Sequence, residues 1–173
     1  MTDTVRVVLA DDHPVVRAGL AALLESLPDI TVVAVAANGR EAVREVVLHR
    51  PDVAILDLQM PEVDGFAATR EIARSAPQVA VLVLTMYDDE DSVFAAMRAG
   101  ARGYVVKGAE QEEIGRAVHA VAAGEAIFSP GVASRVLRFF SAPPPRVSEP
   151  FPELSPDPPS LSDWPGFRVI GFV

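Results

Sequence analysis

Five short apolar runs, rich in valine, punctuate the chain at residues 5–10, 31–36, 53–56, 79–84 and 103–106. They are too short for typical helices and rich in a β-branched residue, a pattern that predicts strands. Between them the spacing becomes helical. Val16, Leu20, Leu23, Leu24 and Leu27 fall at i, i+4, i+7, i+8 and i+11 on one helix face, and His13-Pro14 opens that helix, since proline is tolerated in a first turn. The spacing predicts further helices over 39–48, with Val43, Val46 and Val47 inward, and over 64–75. Two more follow over 89–99, with Val93, Phe94 and Met97 inward and Gly100 as C-cap, and over 110–123, with Ile114, Val118 and Val121 inward. A sixth helical stretch over 130–140 carries Val132, Val136, Leu137 and Phe140.

The order is therefore (βα) five times. It predicts an α/β domain over 1–123 with a doubly wound parallel sheet, helices on both faces and right-handed crossovers. A linker helix within 124–141 follows. Residues 142–173 hold nine of the fifteen prolines and little periodicity, so they are expected to form a disordered tail.

Ligands of open parallel sheets sit beyond the carboxyl ends of the strands. Four of the runs end there in polar residues: Asp11-Asp12, Asp57, Thr85 and Lys107, which is the single lysine of the chain. Three carboxylates, a hydroxyl and a cation would converge in one crevice. Adjacent carboxylates favour a hard cation, and oxygen ligands with open water positions suit Mg²⁺ better than zinc. A carboxylate can also act as nucleophile and form an aspartyl phosphate, while metal and lysine offset phosphoryl charge. Each residue alone has a plain explanation: a solvated turn, a loop aspartate, a strand-end threonine, a surface lysine. Their joint placement, each at the end of its own strand, is what points to phosphoryl chemistry.

Composition narrows the field. A net charge of −9 makes the chain a poor nucleic-acid binder by itself. It has no cysteine, hence no disulfide framework or thiolate chemistry. No apolar run approaches the ~18 residues of a membrane span, and the start of the sequence lacks a signal-peptide pattern. No membrane association and a cytoplasmic location are the expectations. The three histidines, His13, His49 and His119, need no chemical task; His13 reads as a helix start.

The chain resembles the response-regulator receiver domains of bacterial two-component signalling over about residues 5–123. The resemblance rests on Ala10-Asp11-Asp12-His13, Leu56-Asp57-Leu58-Gln59-Met60-Pro61 with Asp64-Gly65, Leu84-Thr85-Met86, and the run from Ala99 to Lys107. It implies a flavodoxin-like sheet of order 2-1-3-4-5. It further implies that Asp57 accepts phosphate from a sensor histidine kinase, and that Asp11, Asp12, Asp57 and the Gln59 backbone carbonyl hold Mg²⁺. Lys107 and Thr85 would bind phosphoryl oxygens, Thr85 and Tyr104 would switch, and Pro61 and Gly65 would shape the loop after Asp57. Slow self-dephosphorylation would accompany this, without making the chain a dedicated enzyme.

Residues 120–140 resemble the receiver end and linker of the NarL/LuxR-type regulators, where a helix-turn-helix domain follows. Phe151-Pro-Glu-Leu-Ser-Pro resembles the entry to that domain, but the seventeen residues after Pro156 carry one arginine and no recognition-helix pattern. DNA binding by this chain is therefore not expected. The alternative is a transcription regulator whose C-terminal domain is truncated or frameshifted here. An aspartyl-nucleophile phosphatase is a third reading, but Asp57-Leu58-Gln59 lacks the second acid that would protonate a leaving group. A phosphorylation-dependent homodimer is expected through apolar residues of the fourth and fifth helices and of 130–140.

Overall fold

The computed structural model describes residues 4–86 and 90–128 together with Ala133, Ser134 and Leu137. The elements run β1 (Val5–Ala10), α1 (Pro14–Glu25), β2 (Ile30–Ala36), α2 (Gly39–His49), β3 (Val53–Leu56), α3 (Gly65–Ser75), β4 (Ala80–Thr85), α4 (Glu90–Ala99), β5 (Gly103–Val106), α5 (Gln111–Ala122) and β6 (Ile127–Phe128). They form one parallel sheet in the order β2-β1-β3-β4-β5-β6. The sheet is the doubly wound architecture expected from the alternation, with one strand more.

Strand alternation sorts the core into two layers, because successive side chains leave a strand on opposite faces. Val8, Ala10, Leu56, Val81 and Val83 pack with α2, α3 and α4 through Val46, Ile72, Val93 and Met97. Val7, Leu9, Ile55, Leu82 and Val105 pack with α1 and α5 through Leu24, Ile114, Val118 and Val121. The four strands β1, β3, β4 and β5 have covered faces on both sides, which explains their continuous apolar runs.

Local signals place the helix ends. Asn38 and Asp64 cap α2 and α3 by accepting from the Glu41 and Ala67 amides at 2.8 Å. Gly100, at φ +114°, closes α4: its amide donates to Met97 O and that of Ala101 to Ala96 O, the paired bonds of a Schellman motif.

Three expectations need correction. Val16 is 37% exposed because it lies in the first turn of α1, at the carboxyl edge of the sheet rather than over its core. Val47 is 49% exposed: one residue past buried Val46, it sits about 100° further around α2. The apolar residues of α4 and α5, Phe94, Met97, Ile114, Val118 and Val121, are buried in the two core layers. They are therefore not free to form an apolar dimer surface. The described exposed residues of these helices include Asp91, Arg98, Gln111, Glu112, Arg116 and His119, a polar set.

The sheet also continues beyond residue 123. Ile127 pairs with Gly103 and Phe128 with Tyr104, and both side chains are buried. The helix expected over 130–140 is described at Ala133, Ser134 and Leu137, all helical. Its other residues, and the expected tail over 142–173, lie outside the described residues.

Candidate functional site

The carboxyl edge of the sheet is built by backbone hydrogen bonds that run past the strand ends. The Asp11 amide donates to Ala36 O, that of Asp57 to Ala10 O, and that of Lys107 to Thr85 O, at 3.1, 3.0 and 2.7 Å. Three strands thus carry their terminal polar residues to one level. Lys107 Nζ reaches across to Asp11 Oδ2 at 2.6 Å and to Asp57 Oδ2 at 3.2 Å. Asp11 and Asp57 are buried and the Lys107 side chain is nearly so, at 12% exposed. These contacts span 96 and 50 residues of sequence, and they hold the two carboxylates against one cation.

Burial pushes the Asp57 carboxyl above its usual range, and the nearby Lys107 charge and hydrogen bond only partly counter it. Burial also opposes the charge on Lys107. Its hydrogen bond to Asp11 and the fields of both carboxylates outweigh that, so its pKa rises. The lysine is a fixed cation.

The acid-pair loop has its own ties. The His13 amide donates to Asp11 Oδ1 at 2.9 Å, and Arg17, one turn into α1, donates to the Asp11 carbonyl at 2.7 Å. The role of Arg17 escaped the sequence reading; its place one turn after the acid pair was the only signal. Asp12 faces the same space, and its Oδ1 is buried without a hydrogen-bond partner among the described residues. An orphaned carboxylate oxygen is costly unless a cation satisfies it. Donor atoms of Asp11, Asp12, His13 and Asp57 lie within 4.8 Å of one another. This oxygen-rich set fits Mg²⁺.

The loop after Asp57 is tightly tied. The Gly65 amide donates to Leu58 O at 2.9 Å and the Gly39 amide to Val63 O at 3.0 Å. A Cβ on Gly65 would lie 2.3 Å from Asp57 O and 2.6 Å from Leu58 Cα, so only glycine lets α3 start this close to the Asp57 backbone. Pro61 is exposed, and its carbonyl accepts from the Val63 amide at 2.8 Å across Glu62, which adopts φ +66°.

His13, Val16, Asp57, Gln59, Met86 and Lys107 line the mouth of the cleft. Gln59 is exposed there and its backbone bonds to Asp57. Thr85 and Tyr104 are each 0% exposed. Tyr104 pairs with Val83, so Tyr104, Val83 and Thr85 share the α3–α4 face of the sheet. Tyr104 is buried and pairs with Phe128 in the β5–β6 register. The structure brings Asp11, Asp12, Asp57 and Lys107 into one cluster, and Thr85 ends β4 beside Lys107 with its side chain buried.

The family model described as "Response regulator receiver domain" matches residues 7–119. The oxygen regulatory protein NreC of Staphylococcus haemolyticus is 47% identical over 121 residues, covering 69% of this chain and 56% of NreC. The transcriptional regulatory protein LiaR of Bacillus subtilis is 43% identical over 133 residues, 77% of this chain and 63% of LiaR. The chain thus spans little more than half the length of these relatives. The crystal structure of a LuxR-family two-component response regulator from Aurantimonas sp. superposes with a TM-score of 0.75 at 36% identity, covering 79% of this chain and 98% of that one.

Proposed function

Since this chain belongs to the response-regulator receiver family, within its NarL/LuxR-type branch, we propose that it is a signalling switch that takes a phosphoryl group on Asp57 from a phosphohistidine of a sensor histidine kinase. One observation carries the reading: a buried Asp57 carboxylate held 3.2 Å from the Lys107 ammonium, in a cleft that also holds the acid pair. A carboxylate oxygen of Asp57 forms the new O–P bond as the P–N bond to the donor imidazole breaks, and the electron pair returns to that nitrogen. Lys107 offers fixed positive charge to the phosphoryl oxygens. Asp11, Asp12, Asp57 and the Gln59 carbonyl would hold Mg²⁺, which when bound adds positive charge where the transferring group carries its negative charge.

Before transfer, Lys107 is engaged by Asp11 and Asp57. A phosphoryl group on Asp57 gives it a new partner and offers one to the Thr85 hydroxyl. Those contacts bias a two-state equilibrium of α4, β5 and α5, with Thr85 and Tyr104 as the moving parts. The output is control of transcription, as the name of LiaR suggests for that relative. A dimer formed through the polar outer face of α4 and α5 would be salt-sensitive. A cytoplasmic location accords with the family; among the described residues no helix is long and apolar enough to cross a membrane.

The test is labelling of the purified chain with acetyl phosphate and Mg²⁺, read by intact mass. One hydroxylamine-labile phosphoryl group is expected, lost in Asp57→Asn and on chelation with EDTA. Equal labelling of Asp57→Asn would refute the site.

A further inference from the structure

Arg17 is a charged side chain tied to the acid-pair loop that the phosphoryl transfer described above does not use. It is the fourth residue of α1, and its amide makes the first helical bond, donating to His13 O at 2.8 Å. Helix side chains lean toward the N-terminus, so its half-buried side chain reaches back past the first turn. There Nη1 donates to the backbone carbonyl of Asp11 at 2.7 Å. Among the described residues Arg17 forms no salt bridge, although three carboxylates gather at the same strand edge. A helix N-terminus also disfavours a cation. A local preference broken in this way is expected where function outranks stability.

The carbonyl that Arg17 holds belongs to the peptide joining Asp11 to Asp12. A peptide is planar, so fixing its oxygen fixes the plane that carries the Asp12 nitrogen and Cα. Asp11 is fastened at three other atoms. Its amide donates to Ala36 O at 3.1 Å, its Oδ1 accepts from the His13 amide at 2.9 Å, and its Oδ2 accepts from Lys107 Nζ at 2.6 Å. None of those three atoms lies in the peptide that leads to Asp12. The Asp12 Oδ1 is buried and has no hydrogen-bond partner among the described residues. The aim of that oxygen is therefore set by the backbone that carries it, and Arg17 fixes that backbone from outside the loop.

We propose that Arg17 is a positioning residue for phosphoryl transfer: its bond to the Asp11 carbonyl locks the Asp11–Asp12 peptide plane and holds the Asp12 carboxylate toward the cleft. Without that bond the plane turns about ψ of Asp11 and φ of Asp12, and the Asp12 carboxylate loses its aim. The proposal rests on the reading of the cleft as the Mg²⁺ site, and it adds to that site a residue from outside the acid cluster.

Titration calorimetry of the full chain with MgCl₂ tests it, in wild type, Arg17→Met and Arg17→Lys. Methionine is a good helix former with a long unbranched side chain, so Arg17→Met should fold, which circular dichroism checks. The sign of the change separates two roles. By charge alone, removing a cation beside the acid pair tightens Mg²⁺ binding. By positioning, Arg17→Met weakens it at least about tenfold, the scale of an outer contact that orients a ligand. Arg17→Lys keeps an N–H donor on a long stem and should recover part of that loss. Labelling with acetyl phosphate should show the matching split. The Mg²⁺ concentration giving half-maximal rate rises by the same factor, while the rate at saturating Mg²⁺ stays near that of wild type. Mg²⁺ binding that Arg17→Met leaves unchanged or tightens would overturn the proposal, as would an Arg17→Lys protein that binds as weakly as Arg17→Met. Mg²⁺ binding that Asp12→Asn leaves untouched would instead overturn the underlying reading of the cleft.

Discussion

Gly65→Ala is the substitution whose cost the structure defines most sharply. Gly65 opens α3 directly against the Asp57–Leu58 backbone, and its amide is bonded to Leu58 O. The added Cβ would sit 2.3 Å from Asp57 O and 2.6 Å from Leu58 Cα, where ordinary contact begins at 3.4 Å. Both obstacles are backbone, so no side-chain rotation relieves them. The start of α3 and the Asp57–Leu58 segment must part by about 1 Å, a displacement at the severe end of overpacking and worth about 3 kcal/mol. For a folded unit of this size that lowers Tm by about 10 °C. The same shift moves the Asp57 carboxylate relative to Lys107, and errors of that size slow transfer about a hundredfold. Thermal unfolding by circular dichroism and single-turnover labelling with acetyl phosphate read the two effects. Gly19→Ala on α1 is the matched control: nothing lies within 4 Å of its Cβ, and the helix should gain about 1 kcal/mol. A Gly65→Ala protein as stable and as quickly labelled as wild type would refute the steric argument.

Three further outcomes are expected. Lys107→Ala leaves two buried carboxylates facing each other without their cation, and should cost about 3–5 kcal/mol in urea unfolding at neutral pH without metal; an unchanged midpoint would show the ion pair to be energetically idle. Because burial raises the Asp57 pKa above its ordinary 3.8, the folded chain binds more protons than the unfolded one between those two values. Its contribution to stability therefore falls as pH rises through that window and stays low above it. Asp57→Asn should accordingly be more stable than wild type at neutral pH in metal-free buffer, with the gap closing below about pH 4; a gap that widens on acidification would reverse the sign of the argument. Finally, Glu62 is exposed and holds φ +66° in a three-residue turn, so Glu62→Gly should raise stability by about 0.5–1 kcal/mol. Destabilisation on the scale of an ordinary helix glycine would mean that the turn carries no strain.

Much of the architecture was legible because it is written in local periodicity. A period of two or a continuous apolar run marks a strand and a period of 3.6 a helix, whatever the rest of the chain does. The expected bounds of β1, β3 and β5 therefore agree with the structure, and Asp57 and Lys107 were found by standing immediately after their runs. The two-residue β6 was not legible, since Ile127 and Phe128 carry no period; they are a strand only because β5 offers an unpaired edge. Likewise the 3.6 period assigns Val16 to the apolar stripe of α1 but cannot say that its turn overhangs the edge of the sheet. The bond from Lys107 to Asp11 joins residues 96 apart, and the backward turn of His13 toward Asp12 is set by the loop that leads from β1 into α1. Sequence by itself determined which residues belong to strands and helices and which polar groups end them, because those follow from chemistry within a few neighbours. Only the tertiary structure decided which strand ends meet, which apolar residues face water and which carboxylate oxygen lacks a hydrogen-bond partner among the described residues, because packing between distant segments sets distance, burial and dielectric.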